Sequence, residues 1–117
     1  MSSKKKLILS LMACMLAIFL VSCINASKEE VLNQIQVGNY QQALEDIHGL
    51  NTYEREEVQK AAVAKVDEIV QAAKNKVITY SQAVDDLNFI DKIIPKNQQQ
   101  KVINAIEYIK GLEISSK

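Results

Sequence analysis

Few side chains in this sequence could carry chemistry, and their spacing narrows the options further. His48 is the only histidine in 117 residues. A metal ligand or general base needs partners, and the only local ones are Glu45 and Asp46. Beside Gly49, His48 reads instead as a helix C-terminal residue favoured by the helix dipole. Glu45-Asp46 and Asp85-Asp86 are paired carboxylates that could form an acid pair or hold a cation. Adjacent residues on a helix, however, point about 100° apart, and the spacing matches neither a calcium loop nor a two-carboxylate hydrolase. Both pairs therefore read as solvated faces. Cys14 and Cys23 lie inside or at the edge of one apolar run, so no cysteine remains beyond it for an internal disulfide or a cysteine metal site. No Ser/His/Asp set, glycine-rich phosphate loop or His-Glu-x-x-His pattern occurs, and the expectation is a non-enzyme that takes no cofactor and no metal.

Composition bounds what remains. The chain holds 14 basic and 14 acidic residues; setting aside Lys4, Lys5 and Lys6 leaves 11 basic against 14 acidic, a net charge of −3. Nucleic-acid binding needs a concentrated basic face, and Arg55 is the only arginine, so no nucleic-acid partner is expected. One proline, three glycines, no tryptophan and abundant Gln, Glu, Lys, Ala, Ile and Val point to helices.

The first residues have a different character. Met1 to Lys6 is short and basic, and Leu7 to Val21, LILSLMACMLAIFLV, is an apolar stretch of a length that suits the hydrophobic region of a secretory signal. A membrane-spanning helix wants about 20 apolar residues, so an uncleaved anchor is the second choice. The tetrapeptide Leu20-Val21-Ser22-Cys23 resembles the lipobox of bacterial lipoproteins. The resemblance implies a signal peptide at 1–22, diacylglycerol on the Cys23 thiol, cleavage before Cys23 and further acylation of its new amino group. Two or three acyl chains hold a protein firmly on a bilayer where one binds marginally. Ile24 stands where an Asp often marks inner-membrane retention in enteric bacteria, so the resemblance favours an outer-membrane or surface location in the cell envelope.

Residues 23–27 form a short tether, and 28–117 a helical domain. Ser27-x-x-Glu30, Asn39-x-x-Gln42, Asn51-x-x-Glu54, Thr79-x-x-Gln82 and Asn97-x-x-Gln100 each have the spacing of a capping box ahead of an apolar pattern of helical period. They predict five helices, near Lys28 to Gln36, Tyr40 to His48, Thr52 to Lys76, Tyr80 to Ile94 and Gln98 to Leu112. The expected core stripes are Val31, Leu32, Ile35; Tyr40, Ala43, Leu44, Ile47; Val58, Ala62, Val66, Ile69, Ala73; Tyr80, Ala83, Val84, Leu87, Ile90; and Val102, Ile106, Ile109.

A repeat runs through these helices. VGNYQQALEDIHGL at 37–50 aligns with VITYSQAVDDLNFI at 77–90, pairing Tyr40 with Tyr80, Gln42 with Gln82, Ala43 with Ala83 and Asp46 with Asp86. A helix follows each copy, so the expected fold is an all-α bundle of about five helices built from two repeated helix pairs. Gly38-Asn39-Tyr40-Gln41-Gln42-Ala43 resembles the middle of a tetratricopeptide repeat, although Ile78 stands in for the glycine in the second copy. That resemblance implies a scaffold that binds peptides or proteins between helices. Tyr53, Ile103 and Tyr108 fall outside the stripes and are the candidate partner-binding anchors, along the third and last helices. The expected function is a membrane-tethered, non-catalytic protein-binding or accessory module; the alternative is an immunity or exclusion lipoprotein that blocks a toxin, phage or conjugation machine.

Overall fold

The computed structural model describes residues 26–116. Cys23 and residues 1–22, for which a signal peptide is expected, lie outside the described residues. Five α-helices follow in order: α1 (Lys28–Val37), α2 (Tyr40–Asp46), α3 (Thr52–Lys74), α4 (Tyr80–Ile93) and α5 (Gln99–Ser115). Single 3₁₀ turns, Ile47–Gly49 and Lys96–Gln98, follow α2 and precede α5.

The helices form two layers. α3 packs against α1, α4 and α5, α4 packs against α5 as well, and α2 packs against α1 and α4. Side-chain pairs give the directions. Lys28 meets Glu57 at 2.9 Å and Lys65 reaches the Gln36 carbonyl at 3.1 Å, so α1 and α3 run the same way. Lys101 meets Asp67 at 3.1 Å and Ser116 lies by Ala73 and Lys76, so α5 is also parallel to α3. Gln59 donates to the Ile93 carbonyl at 3.1 Å, which sets α4 antiparallel. One layer is thus α1, α3 and α5, and the other is α2 and α4.

Within this frame the repeat is physical. Ala43 and Ala83 are fully buried, Ile47 and Leu87 fill matched core positions, and so do Leu50 and Ile90. Gln42 donates to Asp46 at 3.0 Å and Gln82 to Asp86 at 2.8 Å, the same bond one helical turn apart in each copy. Val37 and Val77, which lead into the two copies, are both exposed. The copies differ in length because α2 gives way to the 3₁₀ turn at Ile47, whereas α4 continues to Ile93.

Every residue of the expected stripes is buried or half-buried. Leu50, Ile93, Ile94 and Ala105 are additional core residues. The caps depart from the expectation. Asn51 and Glu54 form the full reciprocal box. Ser27 and Thr79 each accept from the backbone N–H three residues on, but the Gln82 side chain turns to Asp86 instead of back to Thr79. Asn39 makes no side-chain cap bond, because its ψ of 65° lies away from the extended backbone that aims a capping oxygen at the helix. Asn97 lies within the 3₁₀ turn, and α5 starts after it at Gln99.

Both helices that precede the repeat copies end in a left-handed residue, but not at matched positions. Gly38 has φ 87°, its N–H donates to Ile35, and Asn39 N–H donates to Gln34. At the end of α3 the same pair of bonds runs from Lys76 to Ala73 and from Val77 to Ala72, with Lys76 at φ 60°. The Ile78 that replaces Gly38 in the alignment therefore needs no left-handed backbone, since Lys76 has taken that conformation two residues earlier. A Cβ in this region costs about 1 kcal/mol. Lys76→Gly is accordingly expected to raise the unfolding free energy by up to about 1 kcal/mol, and Gly38→Ala, whose added Cβ would meet nothing within 4 Å, to lower it by a similar amount. Denaturant unfolding checks both; a Lys76→Gly variant no more stable than the parent contradicts the strain assigned to that turn.

Candidate partner-binding surface

The seam between α3 and α5 is open toward solvent. Glu56, Lys60, Val63, Asp67 and Val70 recur at spacings of three and four, so they share one face of α3 beside the buried stripe. Two clefts follow each other along this face. The first, about 320 Å³, is lined by Glu56, Gln59, Lys60 and Val63 and closed by Pro95, Asn97 and Gln98. The second, about 360 Å³, lies between Val66, Asp67 and Val70 of α3 and Lys101, Asn104, Ala105 and Tyr108 of α5. Half-buried Val63 and Val70 give the seam an apolar floor, and the Lys101–Asp67 pair spans it. Both partners are solvated, so the pair contributes at most about 1 kcal/mol and a ligand could displace it at small cost. An apolar floor with a polar rim is the usual anatomy of a binding surface.

The three expected anchors are exposed, at 70 % for Tyr53, 46 % for Ile103 and 45 % for Tyr108. They do not converge. Tyr108 lines the second cleft. Ile103 precedes it by five residues, a rotation of about 140°, and so lies on another face of α5. Tyr53 sits at the start of α3, about 20–25 Å along the helix from Val66 and Val70. Val63, Val70, Pro95 and Lys101 belong to the seam although sequence reasoning passed over them. The signal was available for two of these: Val63 and Val70 stand seven residues apart, a second apolar line beside the first.

His48 is exposed in the 3₁₀ turn Ile47–Gly49. In each carboxylate pair the first member faces solvent and the second is half-buried. Asp46 accepts from Gln34 at 2.8 Å as well as from Gln42, which ties α2 to α1. Among the described residues no group of three or more His, Cys, Asp or Glu side chains could hold a metal ion. At the N-terminal end of the bundle, the hydrogen bond from Lys28 holds the Glu57 carboxyl below its usual range, with Tyr53 a smaller contributor.

Tyr40 is buried where α2 meets the rest of the bundle, whereas Tyr80 is half-buried beside the end of α5. Burial pushes the Tyr40 hydroxyl up to about 12, and the carboxylates of Asp86 and Glu68 add to the effect. Burial also raises Asp86, against the opposing hydrogen bond from Gln82.

Comparison with protein-family models, curated proteins and solved structures found no match to this chain. The fold and the seam therefore define it by class alone: an all-α bundle of repeated helix pairs with an open groove between two parallel helices.

The Tyr40 shift has a consequence for stability. Its folded value lies above the ordinary tyrosine value, so the fold favours the neutral phenol. That contribution is complete below roughly pH 10 and is lost as the pH rises toward 12. Denaturant unfolding across this window should show the parent losing more stability than Tyr40→Phe; equal losses would place the alkaline sensitivity elsewhere.

Proposed function

We propose that this chain is a lipoprotein tethered to the cell envelope through Cys23, and that its helical domain binds a protein partner without chemistry of its own. The order of parts carries the reading: a basic start, an apolar run, Leu20-Val21-Ser22-Cys23 and then, almost at once, the capped start of α1 at Ser27. No helix among the described residues is long and apolar enough to cross a membrane; in this reading the firm attachment is through Cys23. Acyl chains on Cys23 would supply it, each buried CH₂ contributing about 0.8 kcal/mol. The seam between α3 and α5, with Tyr108 at its edge, is the surface best suited to a partner. Ile103 offers a second, separate apolar contact on α5.

Cells fed radiolabelled fatty acid test the proposal with two readouts. The wild-type protein should carry label and show an intact mass that starts at Cys23, while Cys23→Ser stays unlabelled. In crosslinking from the same cells, Tyr108→Ala should lose the partner without a change in melting temperature, and Ile103→Ser should lose it in part. A wild-type chain that keeps Met1 and carries no lipid defeats the tether. Partner loss that merely tracks unfolding returns Tyr108 and Ile103 to structural roles.

A further inference from the structure

Lipidation of Cys23, on which this inference rests, would leave only Ile24 and Asn25 between the anchored position and Ala26, a reach of about 10 Å at full extension. Ala26 is already packed against the core. Ser27 then accepts from the Glu30 N–H at 3.2 Å and Lys28 is tied to Glu57 of α3 at 2.9 Å. The chain between anchor and bundle is thus too short for the bundle to stand clear of the bilayer. The end that must lie near the lipid is the one that carries the N-termini of α1 and α3.

Tyr53 lies on that end. It precedes Glu57 by one helical turn on the same face of α3, and it is 70 % exposed. Its hydroxyl lies beside Glu57, whose carboxylate is held chiefly by Lys28 at 2.9 Å, and Glu54 is folded back onto the Asn51 N–H at 3.3 Å. A tyrosine has an apolar ring and a polar tip, which suits the headgroup level of a bilayer. We infer that Tyr53 seats in the lipid headgroup region, so that the bundle stands with the N-termini of α1, α3 and α5 toward the membrane. Tyr53 is then a membrane contact and not part of the partner surface. The cleft at Tyr108, about 20–25 Å farther along α3, is held out in solvent where a partner can reach it.

The chain contains no tryptophan, so Tyr53→Trp and Tyr108→Trp each introduce a single fluorescent reporter on an exposed site. The protein purified from membranes is reconstituted into vesicles of phosphatidylethanolamine and phosphatidylglycerol that carry a nitroxide lipid labelled at the headgroup, and intact mass establishes the acyl chains. The reporter at position 53 should be quenched roughly twofold or more above that at position 108, with its emission shifted to the blue. A lipidated protein whose two reporters are quenched alike overturns the inference and returns Tyr53 to the protein-facing surface, leaving the tether intact. A chain that carries no lipid overturns both.

Discussion

The structure depends on the burial of one stripe of α3. Val58, Ala62, Val66, Ile69 and Ala73 are all within 5 % of complete burial, and a lone helix cannot bury its own face. Small and β-branched side chains along this line let α1, α4 and α5 approach together. α3 also completes its neighbours: Lys65 donates to the Gln36 carbonyl near the end of α1, and Gln59 to the Ile93 carbonyl at the end of α4. Helix ends leave such carbonyls without intrahelical partners. α1, with 10 residues, is too short to persist without this support, and α2, with 7, rests in turn on α1 and α4.

The same arrangement creates the opening. α1, α3 and α5 run parallel in one layer, while α2 and α4 cover only the other side, so the seam between α3 and α5 keeps an exposed face. Its position follows from the chain rather than from chance, since a second apolar line on α3, Val63 and Val70, falls just outside the buried stripe. In the proposed lipoprotein the short tether gives this seam a direction. A bundle held by its N-terminal end presents the sides of its helices, and binding then needs no long or flexible spacer.

Much of the fold was legible because period and burial agree at each helix. Tyr40, Ala43 and Ile47 recur as Tyr80, Ala83 and Leu87, and that recurrence is realised down to the two Gln–Asp bonds. What the sequence hid was tertiary. Asn39 and Asn97 have the spacing of caps, yet the left-handed turn at Gly38 and the 3₁₀ turn at Lys96–Gln98 set the backbone differently. Tyr40 and Tyr80 align, but only the first is enclosed by later helices. For the site, exposure of Tyr53, Ile103 and Tyr108 could be read from their absence from the stripes. Their separation could not, because it depends on where α5 lies along α3.

The claim that α3 organises the bundle is tested most directly by native-state hydrogen exchange, which reads the free energy of local and global opening residue by residue. Amides of α3 between Val58 and Ile69 should exchange only through global unfolding and be the slowest in the protein, with those of α1 and α2 opening at lower free energy. Slow amides in α4 and α5 that survive while α3 exchanges freely would show that the α4–α5 pair stands without it, and would contradict this account.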